Sequence, residues 1–115
     1  MTGTDAMRGT PESGDAVALG EPDRDTLALS GALTFATAAR ALSDGERALA
    51  AGVQTRLDLA GVTRVDSAGL ACVLALAAAA SRAGRRLGVV HWPEGLRLLA
   101  EVCDAADLLG PPATA

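Results

Sequence analysis

Two short apolar runs, AVALG and TLALSG, flank the polar stretch EPDRD near the start of the chain. Pro22 and the neighbouring acids interrupt the apolar pattern and favour a turn, so the segment predicts a β-hairpin. In LTFATAARALSDGERALAAG the period changes. Phe35, Ala38, Leu42 and Leu49 recur on one helical face, while Arg40, Asp44 and Arg47 fall elsewhere. Thr34 is the expected N-cap, Gly45 weakens the middle and Gly52 stops the helix. In VQTRLDLAGVTRV, Val53, Thr55, Leu57 and Leu59 alternate with their neighbours, as in a strand with one buried face. Gly61 then bends the chain, and Val62 and Val65 return apolar groups to the core.

Ser67 precedes AGLACVLALAAAASRAG, a helical composition closed by Gly84 with the cation Arg82 in the last turn. RRLGVVHW supplies a short strand. Pro93 suits the first turn of a further helix, in which Leu96, Leu99, Ala100 and Cys103 recur at helical spacing. ADLLG forms a final short turn. Strands alternating with helices predict an α/β fold: a single mixed β-sheet of about four strands, starting with a β-hairpin, with three to four packed α-helices. Residues 1–15, rich in Thr, Gly, Asp and Ser, are expected to be a disordered tail. Residues 16–110 form one domain, and 111–115 are a frayed end.

Composition narrows the function. The 115 residues suffice for one domain, and half of them are apolar. Phe35 and Trp92 are the sole aromatic residues, so the core is built from Leu, Val and Ala. A formal net charge of −4 argues against nucleic acid as a partner, because phosphates require a basic footprint and base stacking requires aromatic platforms. Cys72 and Cys103 lie far apart and the chain has one histidine, too few ligands for a structural zinc site. Both cysteines are read as reduced small hydrophobes, and no metal or cofactor is expected. The N-terminus MTGTDAMRGTPESGD has no apolar signal core. The longest apolar run, Ala68 to Ala80, falls short of the roughly 20 residues of a membrane span. A cytoplasmic protein with no direct membrane insertion is expected.

The chemistry concentrates at VTRVDSAGLA, where Ser67 stands between a strand and a helix, a position at which α/β sheets place ligand and partner sites. Ser67 fits three roles. As a nucleophile it needs a base, and His91 is the only histidine; the nucleophile elbow G-x-S-x-G also has Val65 in its first glycine position. His91 suits a loop or packing position before Pro93 better. As a helix cap, Ser67 contributes roughly 1 kcal/mol. As a docking point or switch, its exposed hydroxyl sits at the positive end of a helix dipole, where a phosphate is also favoured. Capping and docking are compatible.

The stretch LDLAGVTRVDSAGLACVLAL resembles the STAS domain family, in which an apolar strand ends in Asp-Ser/Thr-x-Gly-Leu/Ile and opens an apolar helix. Here those positions are Asp66, Ser67, Ala68, Gly69 and Leu70. The likeness extends from about Val17 to Leu109. Within that family, GALTFATAARAL and WPEGLRLLAEVCDAADLL resemble the MlaB branch, small cytoplasmic subunits of the Mla phospholipid ABC transporter. The resemblance implies a STAS-like fold and a non-catalytic subunit, without a cofactor, held at the inner membrane through its complex. It would bind and stabilise or regulate an MlaF-like ATPase through the helix N-terminus at Ser67, where that branch often has threonine. Asp66, Ala68, Gly69, Leu70 and Ala71 would flank the interface, with Phe35 and Thr37 bordering the same surface. The alternative within the family is an anti-sigma factor antagonist, in which a partner serine kinase phosphorylates Ser67 and binding is lost.

Overall fold

The computed structural model describes residues 16–103. The expected tail 1–15, the turn ADLLG and the end 111–115 lie outside them. The element order is β1 (Val17–Asp23), β2 (Thr26–Leu33), α1 (Ala38–Ala51), β3 (Arg56–Val65), α2 (Ser67–Arg82), β4 (Gly88–Val90) and α3 (Glu94–Val102). They build one mixed sheet in the order β1-β2-β3-β4. β1 and β2 pair antiparallel, whereas β2–β3 and β3–β4 pair parallel. Connection length dictates this: a two-residue turn can only return a strand antiparallel, and α1 and α2 serve as the crossovers that parallel pairing needs.

Leu27, Leu57 and Val89 lie in register across three strands and carry the face on which the helices pack. Each of them is fully buried, as are Val73, Leu76 and Leu96 opposite. Among the described residues no aromatic ring is fully buried in this core, with Trp92 packed only at its margin, so the helices must come close. Gly45 of α1 permits this, since a Cβ there would fall 2.6 Å from Leu76 Cδ2 of α2. The glycine that weakens α1 as an isolated helix thus lets it seat on its neighbour.

Three local expectations are corrected. α1 starts at Ala38 and not directly after Thr34. The Thr34 carbonyl accepts from the N–H groups of Thr37 and Ala38, forming a turn, and Thr37 occupies the N-cap position. Phe35 therefore lies in that turn, 85% exposed, rather than on the buried face of α1. β3 starts at Arg56, and Val53 stays outside it, half exposed, because the N–H groups of Thr55 and Arg56 are both drawn to the Asp25 carbonyl. The bend expected at Gly61 falls inside β3, as an irregularity in its pairing with β2. Register shifts against β2 absorb the irregularity, and the strand continues to Val65 with Val62 buried.

Candidate functional site

Leu33 and Val65 are register partners, so β2 and β3 end level with one another. The turn into α1 and the start of α2 therefore lie side by side at one end of the sheet. Asp66 joins them. It is the N-cap of α2, with extended backbone, and its Oδ1 accepts the Gly69 N–H at 3.0 Å. Its Oδ2 accepts the Phe35 N–H, also at 3.0 Å. The Phe35 N–H, with help from Gly69, holds the Asp66 carboxyl below its ordinary value. The cap is thus Asp66, and the expectation that Ser67 caps the helix is corrected. Ser67 is the first residue of α2 and is exposed. Among the described residues none hydrogen-bonds its hydroxyl. The shorter reach to the third N–H of the helix belongs to the residue that precedes Ser67, and that residue carries a carboxylate.

Gly69 has a steric reason to be glycine. A Cβ at that position would lie 2.2 Å from the Leu33 carbonyl oxygen and 2.7 Å from Val65 Cγ2. The first turn of α2 rests directly on the ends of β2 and β3, and Leu70 then enters the core at 4% exposure. Thr37 is buried as well. Its hydroxyl donates to the Ala32 carbonyl at 2.7 Å and accepts the Thr34 N–H at 3.0 Å. Gly69, Leu70 and Thr37, all expected at an interface, lie beneath the surface and hold its shape from inside.

Ser67, Ala68, Ala71 and Phe35 do reach the surface. Phe35, Ala68 and Ala71 border a groove of about 430 Å³ between α1 and α2, completed by Ala38, Ala39, Leu42 and Ala75. No charged side chain lines it. Cys72 forms part of its floor. Burial, with the Glu46 charge adding to it, pushes that thiol up to about 11, so it stays protonated at neutral pH. Leu42, Ala39 and Ala75 were not anticipated as site residues. The available signal was the recurrence of alanine at 68, 71 and 75 on a helix with no polar side chain between Ser67 and Ser81.

His91 stands elsewhere. β4 pairs only with the start of β3, where Val90 is level with Asp58, and His91 Nδ1 meets Asp58 Oδ1 at 2.9 Å. From Asp58 to Val65 is seven residue steps along the strand, roughly 23 Å at ~3.3 Å each. The one histidine is therefore out of reach of Ser67, and both oxygens of Asp66 are occupied by backbone N–H groups. What the site offers chemically is a hydroxyl, an aromatic ring and an uncharged groove on a rigid support. Among the described residues there is no cluster of metal-ligating side chains, and no helix is long and apolar enough to cross a membrane.

Residues 18–110 match the family described as Mlab, STAS domain. No curated protein matches the chain. Among solved structures, the fold is similar to the anti-sigma factor antagonist SpoIIAA in its unphosphorylated form, with a TM-score of 0.63 and 17% identity over 78% of this chain and 82% of that one. It is also similar to the Bacillus cell fate determinant SpoIIAA in the phosphorylated form, with a TM-score of 0.60 and 17% identity over 78% of this chain and 85% of that one.

Proposed function

The chain belongs to the MlaB-type STAS domain family, and on that basis we propose that it is a non-catalytic cytoplasmic subunit that binds the MlaF-like ATPase of a phospholipid-transport ABC system. It stabilises or regulates that ATPase, docking through the first turn of α2 at Ser67, and is peripheral at the inner membrane through the complex. Ser67, Ala68, Ala71 and Phe35 make the contact; Asp66, Gly69, Leu70 and Thr37 fix its shape. One observation carries this reading. Phe35, one of two aromatic residues in the chain, is 85% exposed while its backbone is pinned by Asp66, the residue before Ser67. Burying a phenylalanine is worth about 1.5–3 kcal/mol. The fold leaves that energy unused, and a docked partner would use it. The separation of His91 from Ser67 supports a binding role over an enzymatic one.

The test is co-purification and calorimetry of the chain with the candidate ATPase. Binding that survives in wild type and is lost on Phe35→Ala supports the proposal. An ATPase that neither co-purifies with the wild-type chain nor changes its turnover in its presence rejects it.

A second reading is favoured by the likeness in fold to an anti-sigma factor antagonist and by the accessible Ser67 hydroxyl. In it a serine kinase phosphorylates Ser67 and so switches binding. Stoichiometric phosphate on Ser67 after incubation with a neighbouring kinase, together with binding to that kinase, would select this role over the transporter one.

A further inference from the structure

The groove beside Ser67 is one end of a longer feature. α1 and α2 follow neighbouring parallel strands and run parallel to each other. Ala39 and Leu42 face Ala71 and Ala75 at one end, and Gly45 meets Leu76 in the middle. At the far end a second hollow, of about 300 Å³, is bordered by Glu46, Arg82 and Arg85. The seam thus passes from an uncharged half to a charged half. Arg85 is committed there: Nη1 donates to the Gln54 carbonyl at 2.8 Å and Nη2 to the Leu49 carbonyl. Arg82, in the last turn of α2, is exposed and makes no ion pair among the described residues.

Resting on the docking proposed above, we infer that the ATPase lays one amphipathic helix along the whole α1–α2 seam, antiparallel to both, with an apolar side chain beside Phe35 and an acidic one opposite Arg82. The 14 residues of α1 span about 21 Å at ~1.5 Å per residue, so the incoming helix has about four turns. The antiparallel direction follows from charge. Acidic residues are favoured in the first turn of a helix, and this direction puts that turn over Arg82. It also brings the free carbonyls of the partner's last turn to the positive ends of α1 and α2, where the Ser67 hydroxyl can donate to one of them. Glu46 repels an acid placed over α1 and so steers it to the α2 side. A second copy of this chain offers a similar helix in α3, where Glu94, Leu98 and Val102 follow one another at four-residue spacing and the last two are exposed. That helix has nine residues, about 13 Å, and covers little more than half of the seam.

Calorimetry of the full chain against the ATPase tests this, with thermal melts of each variant alone. Arg82→Glu is expected to weaken binding about tenfold or more, Arg82→Lys to restore it, and Glu46→Arg to tighten it. Ala71→Glu is expected to weaken binding at least a hundredfold, and melts of all four variants are expected to match wild type within a few degrees. If wild type fails to bind, the docking itself is rejected and the seam with it. If binding is lost in Phe35→Ala and Ala71→Glu but is unchanged in Arg82→Glu and Glu46→Arg, the docking stands and the helix along the seam is overturned. A concentration-dependent dimer of the isolated chain, dissociated by Glu94→Arg, would assign the seam to α3 of a second copy and overturn the inference also.

Discussion

The Asp66 carboxylate and the Phe35 amide lie 3.0 Å apart across 31 residues of sequence. The same carboxylate caps α2 at Gly69. One side chain therefore fastens the first turn of α2 to the turn that displays Phe35. Asp66→Ala removes both bonds and is expected to cost about 1–2 kcal/mol, as lost N-caps do. Asp66→Asn keeps an acceptor for Gly69 and is expected to cost less, while still loosening the Phe35 turn. Urea titration gives the first comparison. Hydrogen exchange at the Phe35 amide gives the second: faster exchange in Asp66→Asn at near-unchanged global stability is the expected result.

Acid should act through the same residue. The Phe35 N–H lowers the Asp66 pKa in the folded state. Burial pulls Asp58 upward, but the Ala60 N–H and His91 outweigh it, so Asp58 is lowered as well. A folded pKa below the unfolded value means stability that is fully present above the unfolded pKa of about 3.9. It is lost as pH falls through the folded pKa. The melting temperature is thus expected to be level in this respect from about pH 7 to 5 and to fall below about pH 4. The Asp66→Asn variant should show a shallower acid limb, and an identical limb would remove Asp66 from the account.

Gly69→Ala sets two effects against each other. Alanine is a better helix former than glycine by about 1 kcal/mol. Its Cβ, however, would sit 2.2 Å from a main-chain carbonyl oxygen that cannot rotate away. Overpacking of that kind costs about 1–3 kcal/mol, so net destabilisation is expected in urea. A more stable Gly69→Ala protein would show that α2 can lift off β2 freely.

Charge at position 67 should separate folding from docking. Because Asp66 is the cap, Ser67→Ala should leave the melting temperature of the isolated domain unchanged. Ser67→Glu adds a carboxylate to the first turn of α2, a gain of a few tenths to about 1 kcal/mol. Against a docked partner the same charge loses its water, at a cost of several kcal/mol when unpaired. Each ~1.4 kcal/mol is tenfold in affinity. The expected order of affinity for the ATPase is Ser67→Thr close to wild type, Ser67→Ala slightly weaker and Ser67→Glu lost. Wild-type affinity in Ser67→Glu would place the docking surface elsewhere.

Phe35→Ala should be silent in the melt, because the ring is 85% exposed and supports no core contact that truncation would empty. Its affinity for the partner should fall tenfold or more, in line with the loss of an aromatic anchor. A large drop in melting temperature would instead make Phe35 part of the fold.

The order of elements, the opening hairpin and the parallel pairing of the later strands were legible in the sequence. Alternation and helical periodicity report which way side chains point, and a helix between two strands leaves right-handed parallel crossover as the favoured return. The motif Asp66-Ser67-Ala68-Gly69-Leu70 marked the passage from β3 to α2 for the same local reasons. Its division of labour was not legible. Asp66 and Ser67 are both good caps in isolation, and the choice fell to Asp66 because β3 ends at Val65, in register with Leu33, which seats the carboxylate within reach of two amides on different segments. Phe35 shows the same limit. Its spacing to Ala38 and Leu42 suits the buried face of a helix, but the Thr37 hydroxyl is drawn to the Ala32 carbonyl, the turn persists to residue 37, and α1 begins too late to include the ring. Periodicity assigns an angle to a side chain on an element already begun. Where the element begins, and whether a neighbour covers the side chain, are decided by hydrogen bonds and contacts between segments far apart in the chain.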